Sequence, residues 1–227
     1  MIAETTVSLL IIFASYLIGS IPVAYLAGLI LKGIDIRRYG SANVGASNVY
    51  QSVARWAVVP VGVAQIGLAM AAIGLAKALD QALGVQVLAG VAALLGAVWS
   101  VYLGFGGGRG VGASIGFMLM LTPITLAVFT AVSLVGVALR SIPLAVGLGI
   151  AVAPLLALIF EGPGEIAAGC LAMAGIVFAK RLLTNERSLP QGPARREVML
   201  NRLLFDRDIR NRDEWVRKGL DSHSGRA

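Results

Sequence analysis

The sequence predicts an all-α, polytopic membrane protein of about seven transmembrane helices, one of them short, with its N-terminus outside and its C-terminus inside. Three observations carry this expectation. Of 227 residues, 57% are hydrophobic and only 14% charged, against about 25% charged in an ordinary soluble domain. The few charges are crowded at one end: residues 1–179 hold 7 Lys/Arg and 5 Asp/Glu, whereas 180–227 hold 12 and 7. Uncharged runs cover 5–31, 56–76, 81–108, 110–139, 141–160 and 166–179, most of them as long as the roughly 17–25 residues that a spanning helix needs. A 179-residue stretch so poor in charge cannot present a hydrated surface. This excludes a soluble monomer, a disordered chain and a disulfide-stapled module.

The elements follow in order. The first run is too long for the h-region of a cleavable signal, roughly 7–15 residues, and no basic segment precedes it. It is read as a helix. The loop over 32–55 carries Lys32, Arg37, Arg38 and Arg55, which assigns it to the cytoplasm by the positive-inside rule. The balanced Lys77 and Asp80 then fall outside and Arg109 inside. Six helices would leave Arg140 outside, Glu161 and Glu165 inside, and the basic tail outside, each against the rule. One more crossing repairs all three. Thr122-Pro123 supplies the break, dividing 110–139 into a short helix at 111–121 and a second at 124–139, the short one shielded by neighbouring helices. The chain thus divides into a transmembrane domain over 1–185 and a charged cytoplasmic tail over 186–227. Within 196–220 the tail alternates charges with Leu200, Leu203, Leu204, Phe205, Ile209, Trp215 and Val216. It reads equally as an amphipathic helix on the inner membrane face or as a solvated extension.

The formal net charge of +7 resides mostly in the tail, beside an apolar body. Its counter-surface is anionic membrane lipid, and no nucleic-acid partner is expected. The single cysteine, Cys170, lies in an apolar run, and the single histidine, His223, lies in the tail. A Ser-His or Cys-His centre and a His-ligated metal are excluded from the membrane body. No metal and no cofactor are expected.

Two loops exceed what turns require. The first, Asp35 to Asn48, is dense in Gly, Ser and Asn between arginines. Such a segment can adopt positive φ and turn backbone N–H groups and short side chains toward one oxyanion. The second, Leu103 to Ser114, places Gly104, Gly106, Gly107, Gly108 and Gly110 around Arg109 and leads into an apolar helix. Backbone amides at a helix N-terminus beside a fixed cation make an anion site. It is not a Walker loop, because the Gly-Lys-Ser/Thr order is absent. Both loops fall on the cytoplasmic side and can face one another.

At these loops the sequence resembles the bacterial membrane acyltransferases that use acyl phosphate and glycerol 3-phosphate. Their Gly-Ser-x-Pro element is matched by Gly19-Ser20-Ile21-Pro22. Their Gly-Ser-Gly-Asn-x-Gly-Ala-Thr-Asn loop is matched by residues 40–48, with Ala42 for Gly and Ser47 for Thr. Their Phe-Lys-Gly-Gly-Lys-Gly-Val-Ala-Thr loop is matched from Phe105 to Ala113, with Gly106 and Arg109 at the two lysines. The resemblance spans roughly residues 5–185. Other polar positions of the family fall on Gln51, Val63, Ile66, Ala97, Gly175 and Phe178.

The resemblance implies transfer of a fatty acyl group from acyl phosphate to glycerol 3-phosphate. The product is lysophosphatidate, made for phospholipid synthesis at the inner face of the bacterial cytoplasmic (inner) membrane. It implies Ser41, Asn43, Ser47, Asn48 and Arg109 as catalytic residues. Arg37, Arg38, Gly40, Gly45, Gly107, Gly108 and Gly110 would bind substrate phosphate, with Arg37 and Arg38 reading equally as anchors at the membrane surface. A non-catalytic relative that binds lipid or phosphate metabolites, or an acyltransferase with another acceptor, stays open. A transporter finds no support, because no helix interior carries a pair of acidic groups.

Overall fold

The computed structural model describes residues 2–183 and 194–209. It is helical throughout. Helix α1 (Ile2–Gly19) bends at Ser20-Ile21-Pro22 into α2 (Val23–Lys32), which Gly33 ends in the left-handed region. The short α3 (Ala46–Ser52) follows the first loop. Then come α4 (Val58–Ala78), α5 (Leu83–Val98), α6 (Val111–Leu121), α7 (Pro123–Ala138), α8 (Ile142–Phe160) and α9 (Gly164–Leu183). The last helix among the described residues is α10 (Ala194–Phe205).

Four stretches are long and apolar enough to cross a membrane: Ala3–Lys32, Val58–Ala78, Ile142–Phe160 and Gly164–Leu183. Helices α5, α6 and α7 are apolar but shorter. The break at 122–123 falls where Thr122-Pro123 interrupts the sequence, since proline suits the first turn of a new helix and not the interior of an old one. Large side chains such as Leu9, Leu10, Phe13, Val63, Leu134, Leu158 and Leu171 are exposed, an apolar exterior that water would not tolerate but lipid does.

Helix α5 is the axis of the bundle, packed on α1, α4, α6 and α9. Small residues let it in. A methyl group at Gly19 would stand 2.0 Å from the carbonyl oxygen of Ala93, and one at Gly96 would stand 2.2 Å from that of Tyr16. The bend that closes α1 is therefore pressed onto α5 backbone to backbone, the mode of approach that small residues permit in membranes. The main core joins α4 to α9 through Ile73, Leu94, Phe117, Met118, Ile150, Met173 and Val177. A smaller core of Ala24, Ile36, Val44, Val49, Ala57 and Val61 fastens the first loop to α2 and α4.

Hydrogen bonds sort the helix ends into two groups. At one end Ser8 donates to Gln81, Lys77 donates to the Met120 carbonyl, and the Glu161 carboxylate accepts from the N–H groups of Ile124 and Thr125. At the other, Ser100 donates to the Ser20 carbonyl, Lys180 to that of Val98, and Arg181 to that of Pro143. Both glycine loops lie at this second end.

The expected tail helix over 196–220 is described only as far as residue 209. Trp215, Val216, His223 and the prolines Pro190 and Pro193 lie outside the described residues. The described part packs on α8 and α9.

Candidate active site

A cavity of about 440 Å³ opens at the loop-bearing end. Its walls come from the α1–α2 bend, both loops, α4, α5, the start of α6, the start of α8, the end of α9 and residues 205–207.

The first loop is wound around one side chain. Asn48 is fully buried. Its amide nitrogen donates to the carbonyls of Ile36, Tyr39 and Asn43 at 3.0–3.1 Å, and its oxygen accepts from the Ser41 N–H and the Ser52 hydroxyl. Every polar atom of that side chain is spent on the loop. Asn48 shapes the site from behind and does not line the cavity. Gly40 supplies a turn at φ +57, where a methyl group would strike the Asn48 oxygen at 2.3 Å. Ala42 makes the same left-handed excursion at φ 56 with a side chain attached. The consequence is that Ser41, Asn43 and Ser47 face the cavity together with Gly40 and Gly45.

Arg37 and Arg38 stand apart. The Arg37 guanidinium pairs with the Asp35 carboxylate at 2.8 Å and lies over the Tyr25 ring. Arg38 is exposed. Neither lines the cavity. The hydrogen bond from Arg37 holds the Asp35 carboxyl below its ordinary value, with Arg38 adding to the pull.

The second loop is held by backbone. Ser100 and Gly106 pair across it, and the Gly108 N–H donates to the Ala97 carbonyl at 3.0 Å. That amide is already engaged, so the anion-binding capacity expected of Gly108 is not available from its N–H. The glycines instead permit contact. A methyl group at Gly107 would meet the Val98 and Ala97 carbonyl oxygens at 2.5 and 2.7 Å, and one at Gly108 would meet that of Val44 at 2.6 Å. Val44 belongs to the first loop, so Gly108 is where the two loops touch. Gly110, at φ +78, turns the chain into α6, whose first residues Val111, Gly112 and Ala113 line the cavity. Arg109 sits on the wall between the loops, 8% exposed, with its Nε donating to the Asp206 carboxylate at 2.6 Å.

Several groups converge here that the sequence did not single out. Ser20, in the α1–α2 bend, is fully buried, lines the cavity, and its hydroxyl has no hydrogen-bond partner among the described residues. The side-chain amide oxygen of Asn43 is likewise unmatched among the described residues. Buried polar atoms ordinarily find partners, and these two, together with Nη1 of Arg109 on the same wall, suit a polar ligand. Gln51 and Gln65 also face inward, as does Arg181, which reaches past Gly147 to the carbonyls of Leu203 and Pro143. Ser20 carried a sequence signal in its place in the Gly-Ser-x-Pro element, and Gln51 in falling on a polar position of the resembled family; Gln65 and Arg181 carried none. Among the described residues no cluster of His, Cys, Asp and Glu could hold a metal.

Among the described residues, the cavity therefore combines hydroxyl and amide side chains, three arginines and a helix N-terminus with an apolar side formed by Ile66, Ala69, Ile115 and Val146. Such a site can hold a phosphorylated polar molecule next to an alkyl chain. The glycerol-3-phosphate acyltransferase family profile matches residues 9–190. Glycerol-3-phosphate acyltransferase 5 of Dehalococcoides mccartyi (strain ATCC BAA-2266 / KCTC 15142 / 195) is 32% identical over 218 residues, covering 93% of this chain and 94% of the relative. The enzyme of Synechococcus sp. (strain CC9902) is 43% identical over 147 residues, covering 62% of this chain and 74% of the relative. The crystal structure of PlsY (YgiH), an integral membrane glycerol 3-phosphate acyltransferase in its glycerol 3-phosphate form, superimposes with a TM-score of 0.69 at 26% identity. That match covers 77% of this chain and 88% of the other. The same protein's lysophosphatidic acid form matches equally well, with a TM-score of 0.69.

Proposed function

Because this chain belongs to the glycerol-3-phosphate acyltransferase family, we propose that acyl transfer takes place in the cavity where its two glycine loops meet. The protein is a membrane acyltransferase that esterifies glycerol 3-phosphate in phospholipid synthesis. The acyl donor is acyl phosphate. A hydroxyl oxygen of glycerol 3-phosphate attacks the donor's carbonyl carbon, the new ester C–O bond forms, and the bond from that carbon to the phosphate oxygen breaks. Inorganic phosphate leaves, the hydroxyl proton passes to a phosphate oxygen, and lysophosphatidate remains. A mixed anhydride has a good leaving group, so no protein nucleophile is required. Positioning and stabilisation of negative charge suffice.

The observation that carries this reading is Arg109, a nearly buried cation on the cavity wall between the loops. Arg109 meets a phosphate, assisted by the opening of α6. Ser41, Asn43 and Ser47 take the acyl-phosphate end, with Ser20 and its unmatched hydroxyl beside them. Gly40, Gly45, Gly107, Gly108 and Gly110 let the loops close around the ligand, and Asn48 keeps the first loop in shape. Arg37 and Arg38, outside the cavity, draw anionic substrates toward it. The alkyl chain lies along Ile66, Ala69 and Ile115.

Seven crossings of the bacterial cytoplasmic (inner) membrane fit best, with the N-terminus out and the C-terminus in. The sorting of helix ends supports this count, since α1 starts at the end opposite the one where α9 finishes. Residues 1–185 form the transmembrane acyltransferase domain and 186–227 its cytoplasmic tail.

Full-length protein in detergent, given acyl phosphate and glycerol 3-phosphate, should form lysophosphatidate and inorganic phosphate in equal amounts. Arg109→Ala and Asn43→Ala should each abolish turnover without loss of folded protein. Folded wild-type protein with no turnover above background refutes the reaction, and near-normal rates in both variants refute the site.

A further inference from the structure

Arg109 does not stand alone on the cavity wall. Its Nε donates to the Asp206 carboxylate at 2.6 Å, across 97 positions of chain. Asp206 lies beyond residue 190, where the family match ends. The segment that delivers it is built in. Arg202 on α10 is 3% exposed, donates to the Leu182 carbonyl at 2.9 Å and pairs with Asp208. Arg181 on α9 donates to the Leu203 carbonyl at 2.8 Å. With α10 thus fixed, Asp206 turns at φ 57 and lines the cavity between Phe205 and Arg207. Asparagine and aspartate tolerate that conformation better than most residues.

On these grounds, which rest on the acyl-transfer reading above, we infer that Asp206 is a positioning residue of the substrate site. Its carboxylate grips the Nε edge of Arg109 and holds the guanidinium on the cavity wall, leaving the Nη edge for a phosphate oxygen. Two observations favour this over a plug that substrate must displace. The Nη1 of Arg109 is buried without a hydrogen-bond partner among the described residues, so the pair leaves donor capacity unused. Among the described residues, the charged groups lining the cavity are three arginines and one aspartate, a formal surplus of two positive charges that still suits a phosphate dianion. A planar guanidinium can serve a carboxylate on one edge and a phosphate on another. Without its carboxylate, a nearly buried guanidinium would turn toward water.

The test measures the dissociation constant of glycerol 3-phosphate on full-length protein by calorimetry, together with kcat and KM. Asp206→Ala should weaken binding and raise KM about tenfold, a step comparable to one charge-assisted hydrogen bond, with a smaller change in kcat. Asp206→Asn preserves the shape should the alanine variant fold poorly, and it should fall between wild type and alanine. Asp206→Glu should recover part of the loss. In an Arg109→Lys background, which lacks the forked guanidinium, Asp206→Ala should add nothing further. Unchanged binding in both the alanine and asparagine variants overturns the inference. So does tighter binding, which would make Asp206 a plug, or an equal loss in the Arg109→Lys background, which would make its role purely structural. A wild type that binds glycerol 3-phosphate but transfers no acyl group refutes the reaction and leaves this assignment standing. A wild type that binds none overturns both.

Discussion

The contact between the two loops is the most sensitive point of the site, and Gly108→Ala perturbs it alone. The added methyl would stand 2.6 Å from the Val44 carbonyl oxygen, whereas ordinary contact begins at 3.4 Å, so the loops must part by about 0.8 Å. Val44 cannot yield by rotating a side chain. The obstacle is backbone, and Val44 itself is packed at 6% exposure. Misplacing reacting groups by about 1 Å costs roughly 10²-fold in rate, or about 2.7 kcal/mol of barrier. Overpacking of this kind destabilises by about 1–3 kcal/mol, less than would unfold a typical domain. The assay is lysophosphatidate formation by folded, detergent-purified protein. Gly108→Ala should lower kcat/KM roughly 10²-fold while melting as a folded protein. Gly67→Ala, where a methyl meets nothing within 4 Å, should leave the rate unchanged. A Gly108→Ala enzyme within a fewfold of wild type would refute the claim that the site is assembled by this contact.

Other expectations follow from the same geometry. Asn48→Ala deletes a side chain whose two N–H donors are shared among three carbonyls and whose oxygen accepts two hydrogen bonds, about four hydrogen bonds in all inside the first loop. At about 0.5–1.5 kcal/mol net each, the loop should lose about 3–5 kcal/mol, read as a lower melting temperature and early proteolysis within 35–48; a loss under about 1 kcal/mol contradicts it. Ala42→Gly relieves a left-handed alanine at φ 56 and should stabilise by about 1 kcal/mol, measurable as a raised melting temperature; no rise would mean that the turn is not left-handed in solution. Asp35 titrates below its ordinary value because Arg37 and Arg38 favour its charged form. A depressed carboxylate contributes fully above its unfolded pKa of about 3.9 and loses that contribution as pH falls through the folded value. Stability should therefore be flat in this term above about pH 5 and fall in acid, and Asp35→Asn should flatten that acid limb in a melting-temperature series.

Much of the fold could be read from residues alone, because membrane helices announce themselves by where charge is missing. The break at Thr122-Pro123 is local chemistry, and helices end and begin there. The loops were conspicuous for a related reason, since glycine, serine and asparagine at that density have no use in a lipid-facing helix. What could not be read was which polar atoms remain free once the chain has folded. Asn48 looks like a ligand-binding amide in sequence, yet the carbonyls of Ile36, Tyr39 and Asn43 consume it. The N–H of Gly108 is consumed by Ala97 in the same way. Arg37 and Arg38, the most obvious cations near a loop, lie outside the cavity, where a neighbouring Asp35 and the ring of Tyr25 occupy the first of them. Arg181 and Asp206 read as one basic helix end and one charge in an alternating tail. The packing of α9 against α8 places Arg181 at the cavity, and the packing of α10 onto both brings Asp206 there.

A structure of the full chain with glycerol 3-phosphate bound tests the central claim most directly. The phosphate should lie between the two loops, within hydrogen-bond distance of the Arg109 guanidinium and near the start of α6. Its glycerol hydroxyls should point toward Ser41 and Asn43. A phosphate held elsewhere, with Arg109 making no contact to it, would contradict the account.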